Sequence, residues 1–71
     1  MDPIQVFFDD RRISEIDDRY DYGEHRYQMI GRSYERVIFV VYTERSENTI
    51  RVISARKANK KERLAYERGM F

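Results

Sequence analysis

Seven consecutive residues, Val37-Ile38-Phe39-Val40-Val41-Tyr42-Thr43, are β-branched or aromatic without a break. Such a run strongly favours an extended, pleated backbone, and its lack of alternation predicts a central strand covered on both faces. A central strand needs neighbours, and the flanking sequence supplies them. His25–Arg32 alternates, with Tyr27 and Met29 on one face and Arg26, Gln28 and Ile30 on the other. Thr49–Arg56 does the same: Ile50, Val52, Ser54 and Arg56 should share one face, and Arg51, Ile53 and Ala55 the other. Arg12–Ile16 reads as a short strand at an edge. The connections, Asp17–Gly23, the turn around Ser33-Tyr34-Glu35, and Arg45–Asn48, are too short for crossovers. The strands must therefore form an antiparallel meander of three to four members.

Two helical pieces bracket the sheet. Asp2 before Pro3 is a helix-start signal, and Ile4, Phe7 and Phe8 then fall on one helical face. Near the other end, Asn59 with Glu62 three residues on has the spacing of a capping box, opening a helix from Lys60 to Arg68. Leu64, Ala65 and Tyr66 give this helix a thin apolar stripe, suited to a surface rather than to the centre of a core. The expected fold class is α+β: an antiparallel meander with a short N-terminal helical segment and a C-terminal helix.

With 71 residues the chain has room for one domain, residues 1–71. A chain of this size buries only about 60% of the surface its unfolded form exposes. It has no cysteine to reinforce that core. No apolar run approaches the ~20 residues of a membrane span, so no membrane association and a cytoplasmic location are expected. The net charge of +1 hides a polarity. Residues 1–31 carry eight acidic and four basic side chains, whereas residues 32–71 carry five acidic and ten basic ones. That split suits a polyanion on one side of the molecule and a basic partner on the other, although charged residues also simply solvate a surface.

Several chemistries are poorly represented. His25 is the single histidine, which rules out histidine-rich metal ligation, and Asp17, Asp18 and Asp21 lack the ligand and glycine order of a calcium loop. No phosphate-cradling glycine loop occurs among the three glycines. Neither a metal nor a cofactor is expected. What stands out is cationic and aromatic chemistry on strands: Arg26, Arg51, Arg56 and Lys57, with Tyr42 and Ser54. RNA cleavage without a metal needs a deprotonated 2′-hydroxyl, stabilised charge on the phosphoryl oxygens, and a protonated leaving oxygen. Guanidiniums on rigid strands meet the second need, and aromatic rings offer bases a stacking surface. The competing use of these arginines is to pair with carboxylates such as Glu24 and Glu44 across the sheet.

Three stretches, taken in order, resemble the BrnT family of ribonuclease toxins. Gly23-Glu24-His25-Arg26 through Ile30-Gly31 is similar to that family's G-E-x-R-x-x-x-I-G. Val40–Arg45 is similar to its V-x-Y-T-x-R. Arg51–Ala58 is similar to R-I-I-S-A-R-x-A, with Glu62, Arg63 and Tyr66 in the following E-R-x-x-Y register. The resemblance implies a RelE-like fold and a metal-independent endoribonuclease that inhibits growth. It also implies a cognate ribbon-helix-helix antitoxin, through which alone operator DNA is contacted. On that basis Arg26, Arg51, Ser54 and Arg56 are the candidate catalytic residues, and Tyr42, Lys57 and Lys60 the candidate RNA-binding ones. Members of the family open with a W-D-x-x-K-type stretch and a helix ending near K-H-G, whereas here Met1 stands almost directly before Val6-Phe7-Phe8-Asp9-Asp10. An N-terminally truncated version of the fold is therefore expected, with a bare sheet face that would draw in a second copy as a homodimer. Two other readings stay open: an inactive short form that serves as an antitoxin-binding module, and a small nucleic-acid-binding domain.

Overall fold

The computed structural model describes residues 2–17, 26–46 and 49–71. The element order is α1 (Pro3–Val6), β1 (Ile13–Asp17), β2 (Arg26–Ser33), β3 (Arg36–Ser46), β4 (Thr49–Lys57) and α2 (Lys60–Arg68). The four strands form one antiparallel sheet in the order β1-β2-β3-β4. This is the expected meander, with β1 at an edge and the Val37–Thr43 run inside β3. Most of the loop expected over residues 17–23, and His25 beside it, lie outside the described residues. β3 also reaches further than expected, to Ser46.

Each face of the sheet carries its own cluster. On the first, Val6 of α1 packs with Met29, Ile38, Val40 and Tyr42, flanked by Phe7, Tyr27, Val52 and Ala55. On the second, Ile13, Ile30 and Ala58 pack with Val37, Phe39 and with Ala65 and Tyr66 of α2. β3 is thus covered on both sides, though unequally: Ile38, Val40 and Tyr42 are buried towards α1, whereas Val37, Phe39 and Val41 are half-buried towards α2.

The N-terminal turn is where local periodicity misleads. Ile4 and Phe8 are exposed, and Val6 is the fully buried residue. Its seat is Gly31: a Cβ there would lie 2.5 Å from Val6 Cγ1. A four-residue helix has too little length to present an i, i+3, i+4 face, so the contact goes to the side chain that fits this notch. Asp2 caps the helix, accepting a hydrogen bond from the Ile4 N–H at 3.0 Å. The Ser33 hydroxyl then anchors Asp2 by donating to its carbonyl oxygen at 2.7 Å.

α2 has the expected capping box. Asn59 Oδ1 accepts from the Glu62 N–H and Glu62 Oε1 accepts from the Asn59 N–H, each at 2.8 Å. The helix ends at Gly69, whose φ of 78° lets the Gly69 and Met70 N–H groups turn back to carbonyls of the last turn. Asp9 ties the two ends of the chain together. Its Oδ2 accepts from the Tyr66 hydroxyl at 2.6 Å and from the Arg32 N–H at 2.8 Å. No described helix is long and apolar enough to cross a membrane.

Candidate functional site

The decisive local feature is a β-bulge in β4. Val41 pairs with Ser54 but Tyr42 pairs with Val52, which leaves Ile53 without a partner. Strict alternation would aim Arg51 and Arg56 at opposite faces. The extra residue corrects that expectation by flipping the strand's phase between them. Cross-strand partners share a face, so the α2 side of the sheet carries three rows: Arg26–Thr43–Arg51, Gln28–Val41–Ser54 and Ile30–Phe39–Arg56. All four candidate catalytic residues, Arg26, Arg51, Ser54 and Arg56, therefore lie on one face. Arg26 and Arg51 flank Thr43 from either side, with backbones about 10 Å apart, two strand spacings.

α2 crosses the lower end of this face, and a cleft of about 410 Å³ opens between them. Gln28, Ile30, Phe39 and Arg56 form its sheet side; Lys61, Glu62 and Ala65 form its helix side. Arg56 is held tightly there. Its Nη1 and Nη2 each donate to one oxygen of Glu62 at 2.8 Å, and its guanidinium lies 4.5 Å from the centroid of the Phe39 ring. The Glu62 hydrogen bond lifts the Arg56 pKa above its ordinary value, and the same bond holds the Glu62 carboxyl below the usual carboxylate range. The carboxylate partner expected for these arginines was Glu24 or Glu44; for Arg56 it is Glu62, one helical turn into α2. Gln28, Lys61 and Glu62 were not singled out as site residues in the sequence. The capping-box spacing was the available signal for Glu62, since it places that carboxylate beside the end of β4.

Tyr42, a candidate RNA-binding residue, does not join this surface. It lies on the α1 face, 7% exposed. It stacks on Tyr27 at 5.2 Å and takes Phe7 edge-on at 5.2 Å. Burial, then the nearby Glu44 charge, raises its hydroxyl pKa. At that exposure little of the ring is open to a base. Lys57 pairs with Ile38 and so also falls on the α1 phase of the sheet, while Lys60 opens α2; both are exposed. Among the described residues, no group of three or more metal-ligating side chains is placed to hold an ion.

The sequence model of the family described as the BrnT ribonuclease toxin of type II toxin–antitoxin systems matches residues 2–62. The chain belongs to the BrnT toxin family. That match takes in α1, the whole sheet and the first turn of α2, so the three rows and the Arg56–Glu62 pair all lie within it. Neither the curated proteins nor the solved structures contain a match. A toxin of a type II pair has an antitoxin as its partner, and the family description assigns the toxin ribonuclease activity.

Proposed function

We propose that this protein is a metal-independent endoribonuclease whose active surface is the α2 face of the sheet. The observation that carries this reading is the Ile53 bulge, which brings Arg51 onto the face that carries Arg26, Ser54 and Arg56, the last of them lining the cleft. In the proposed reaction the ribose 2′-oxygen attacks the adjacent phosphorus as its proton passes to water. The bond to the 5′-oxygen breaks and that oxygen takes a proton from water, leaving a 2′,3′-cyclic phosphate and a 5′-hydroxyl. Negative charge gathers on the non-bridging oxygens in the transition state. Arg26 and Arg51 approach that charge from the two sides of Thr43, and Ser54 donates a hydroxyl hydrogen from the row below. Preorganised donors of this kind are each worth roughly 10²–10³ in rate. Arg56 acts differently. With its fork on Glu62, it serves as a fixed cation at the edge of the cleft, presenting its remaining N–H groups to RNA.

Lys60 at the start of α2, and Lys57 at the end of β4 on the opposite phase of the sheet, hold the RNA backbone at a distance, a contribution that added salt screens. The partner we propose is a ribbon-helix-helix antitoxin that neutralises the toxin and alone touches operator DNA. RNA and antitoxin then meet the toxin in the cytoplasm. Membership of a toxin–antitoxin family supports this pairing.

The test is expression of the protein without antitoxin, alongside incubation of the purified chain with RNA in a metal chelator. Growth arrest and RNA fragments with cyclic-phosphate ends are expected, and Arg51→Ala should abolish both. Normal growth and intact RNA from the folded wild-type protein would overturn the reading.

A further inference from the structure

The α2 helix divides its face of the sheet, and a second recess lies on its other flank. Lys61, Glu62 and Ala65 border the cleft already described, whereas Arg63, Tyr66 and Glu67 border a recess of about 330 Å³ closed by Arg11, Arg32 and Val37. Its three arginines come from three separate parts of the chain: the turn after α1, β2 and α2. They face a single lining carboxylate, Glu67. The adjacent Asp9, its oxygens held by the Tyr66 hydroxyl and by the Arg32 and Arg11 backbone N–H groups, adds a second negative charge, so the three arginines still outnumber the carboxylates. Arg63 uses Nη1 to reach the Ala58 carbonyl at 2.9 Å. Among the described residues, the ion pair formed within 4.0 Å is Arg56–Glu62, on the opposite flank of the helix.

Three guanidiniums against the carboxylates of Glu67 and Asp9 leave the hollow with a net positive charge, which a bound anion would offset. The planar guanidinium fork matches phosphate oxygens in pairs. A carboxylate has two oxygens and satisfies two such forks at most. A phosphate, with its ester oxygens and the ribose hydroxyl beside it, offers more acceptors. Arg63 also borders a neighbouring hollow in which Arg36 and Lys57 outnumber Glu35, so a net positive surface continues towards the end of β4.

We propose that this recess binds a backbone phosphate of the RNA strand. The inference rests on the ribonuclease reading and extends it. A strand crossing α2 would place its scissile phosphate over the Arg26–Arg51 face and another phosphate in the Arg11–Arg32–Arg63 recess. The recess holds the strand without taking part in bond breaking.

Binding of a fully 2′-O-methylated RNA oligonucleotide, which cannot be cut, tests the proposal on the whole chain. Arg11→Ala and Arg32→Ala should each weaken binding about tenfold. Each should also lower the slope of log affinity against log salt by roughly 0.7. Glu67→Gln removes the carboxylate that lines the recess and should tighten binding, a gain that misfolding cannot imitate. Millimolar inorganic phosphate should compete with the oligonucleotide in the wild type and less in Arg32→Ala. Unchanged affinity and salt slope in both arginine variants would overturn the proposal. So would a poly-glutamate peptide whose binding depends on Arg11 and Arg32 while RNA binding does not, since the recess would then read an acidic protein. If wild-type protein cuts no RNA but the arginine and Glu67 effects on the methylated strand persist, the recess stands and the ribonuclease reading falls.

Discussion

Arg56 and Glu62 meet fork to fork, each terminal nitrogen of the guanidinium 2.8 Å from its own carboxylate oxygen. One carboxylate thus does two things, since Glu62 Oε1 also closes the capping box on the Asn59 N–H. The arginine is 53% exposed and the glutamate 16%, so solvent screens the pair. Its direct stabilisation is about 1 kcal/mol or less.

Glu62→Gln separates the two duties, because glutamine still completes the cap but carries no charge. We expect a stability loss under about 1 kcal/mol in urea unfolding near neutral pH. The pH dependence fixes the sign. The folded Glu62 pKa lies below the ordinary 4.5, so its contribution is complete above that value and fades as pH falls through the lowered one. Wild type and variant should therefore converge in stability at acid pH. A difference that grows on acidification would contradict the ion-pair assignment.

Deleting Ile53 should restore regular pairing between β3 and β4 while Arg51, then four positions from Arg56, stays on the same face. Folding should survive, as judged by circular dichroism, because an edge strand tolerates the change. RNA cleavage should survive as well, unlike in Arg51→Ala. Loss of cleavage in a folded deletion variant would show that the bulge does more than set the phase of Arg51.

Gly31→Ala introduces a methyl group 2.5 Å from Val6 Cγ1 and 3.2 Å from Arg12 Cβ. Val6 is fully buried and has little room to retreat. Thermal or urea unfolding should show a loss of about 1–3 kcal/mol. Pairing it with Val6→Ala, which vacates that space, should recover part of the loss relative to simple addition. Strict additivity would mean that the two side chains do not meet.

Tyr42 offers a check on which face meets RNA. Tyr42→Phe keeps the ring between Tyr27 and Phe7 and should leave RNA binding unchanged. Tyr42→Ala should cost about 3–5 kcal/mol, enough to compromise so small a fold. A folded Tyr42→Phe protein with weakened RNA affinity would place the nucleic acid on the α1 face instead.

Much of this architecture was legible in the residues themselves. The Val37–Thr43 run demanded a covered strand, the short connections forced antiparallel neighbours, and Asn59 with Glu62 marked the start of α2. These signals are local, since backbone preference and capping depend on residues a few positions apart. The candidate site was legible as a set of residue types in family-like order, but not as a surface. Only the tertiary structure decided that Arg51 and Arg56 share a face, because a bulge depends on how β4 registers against β3. The same holds for Val6 displacing Ile4 and Phe8 from the core, which needed the notch at Gly31 from a strand 25 positions on. It holds again for Tyr42, whose burial depended on Phe7 and Tyr27 arriving from elsewhere in the chain. Propensity and period act along the chain, whereas phase, burial and charge pairing are settled by contacts between distant segments.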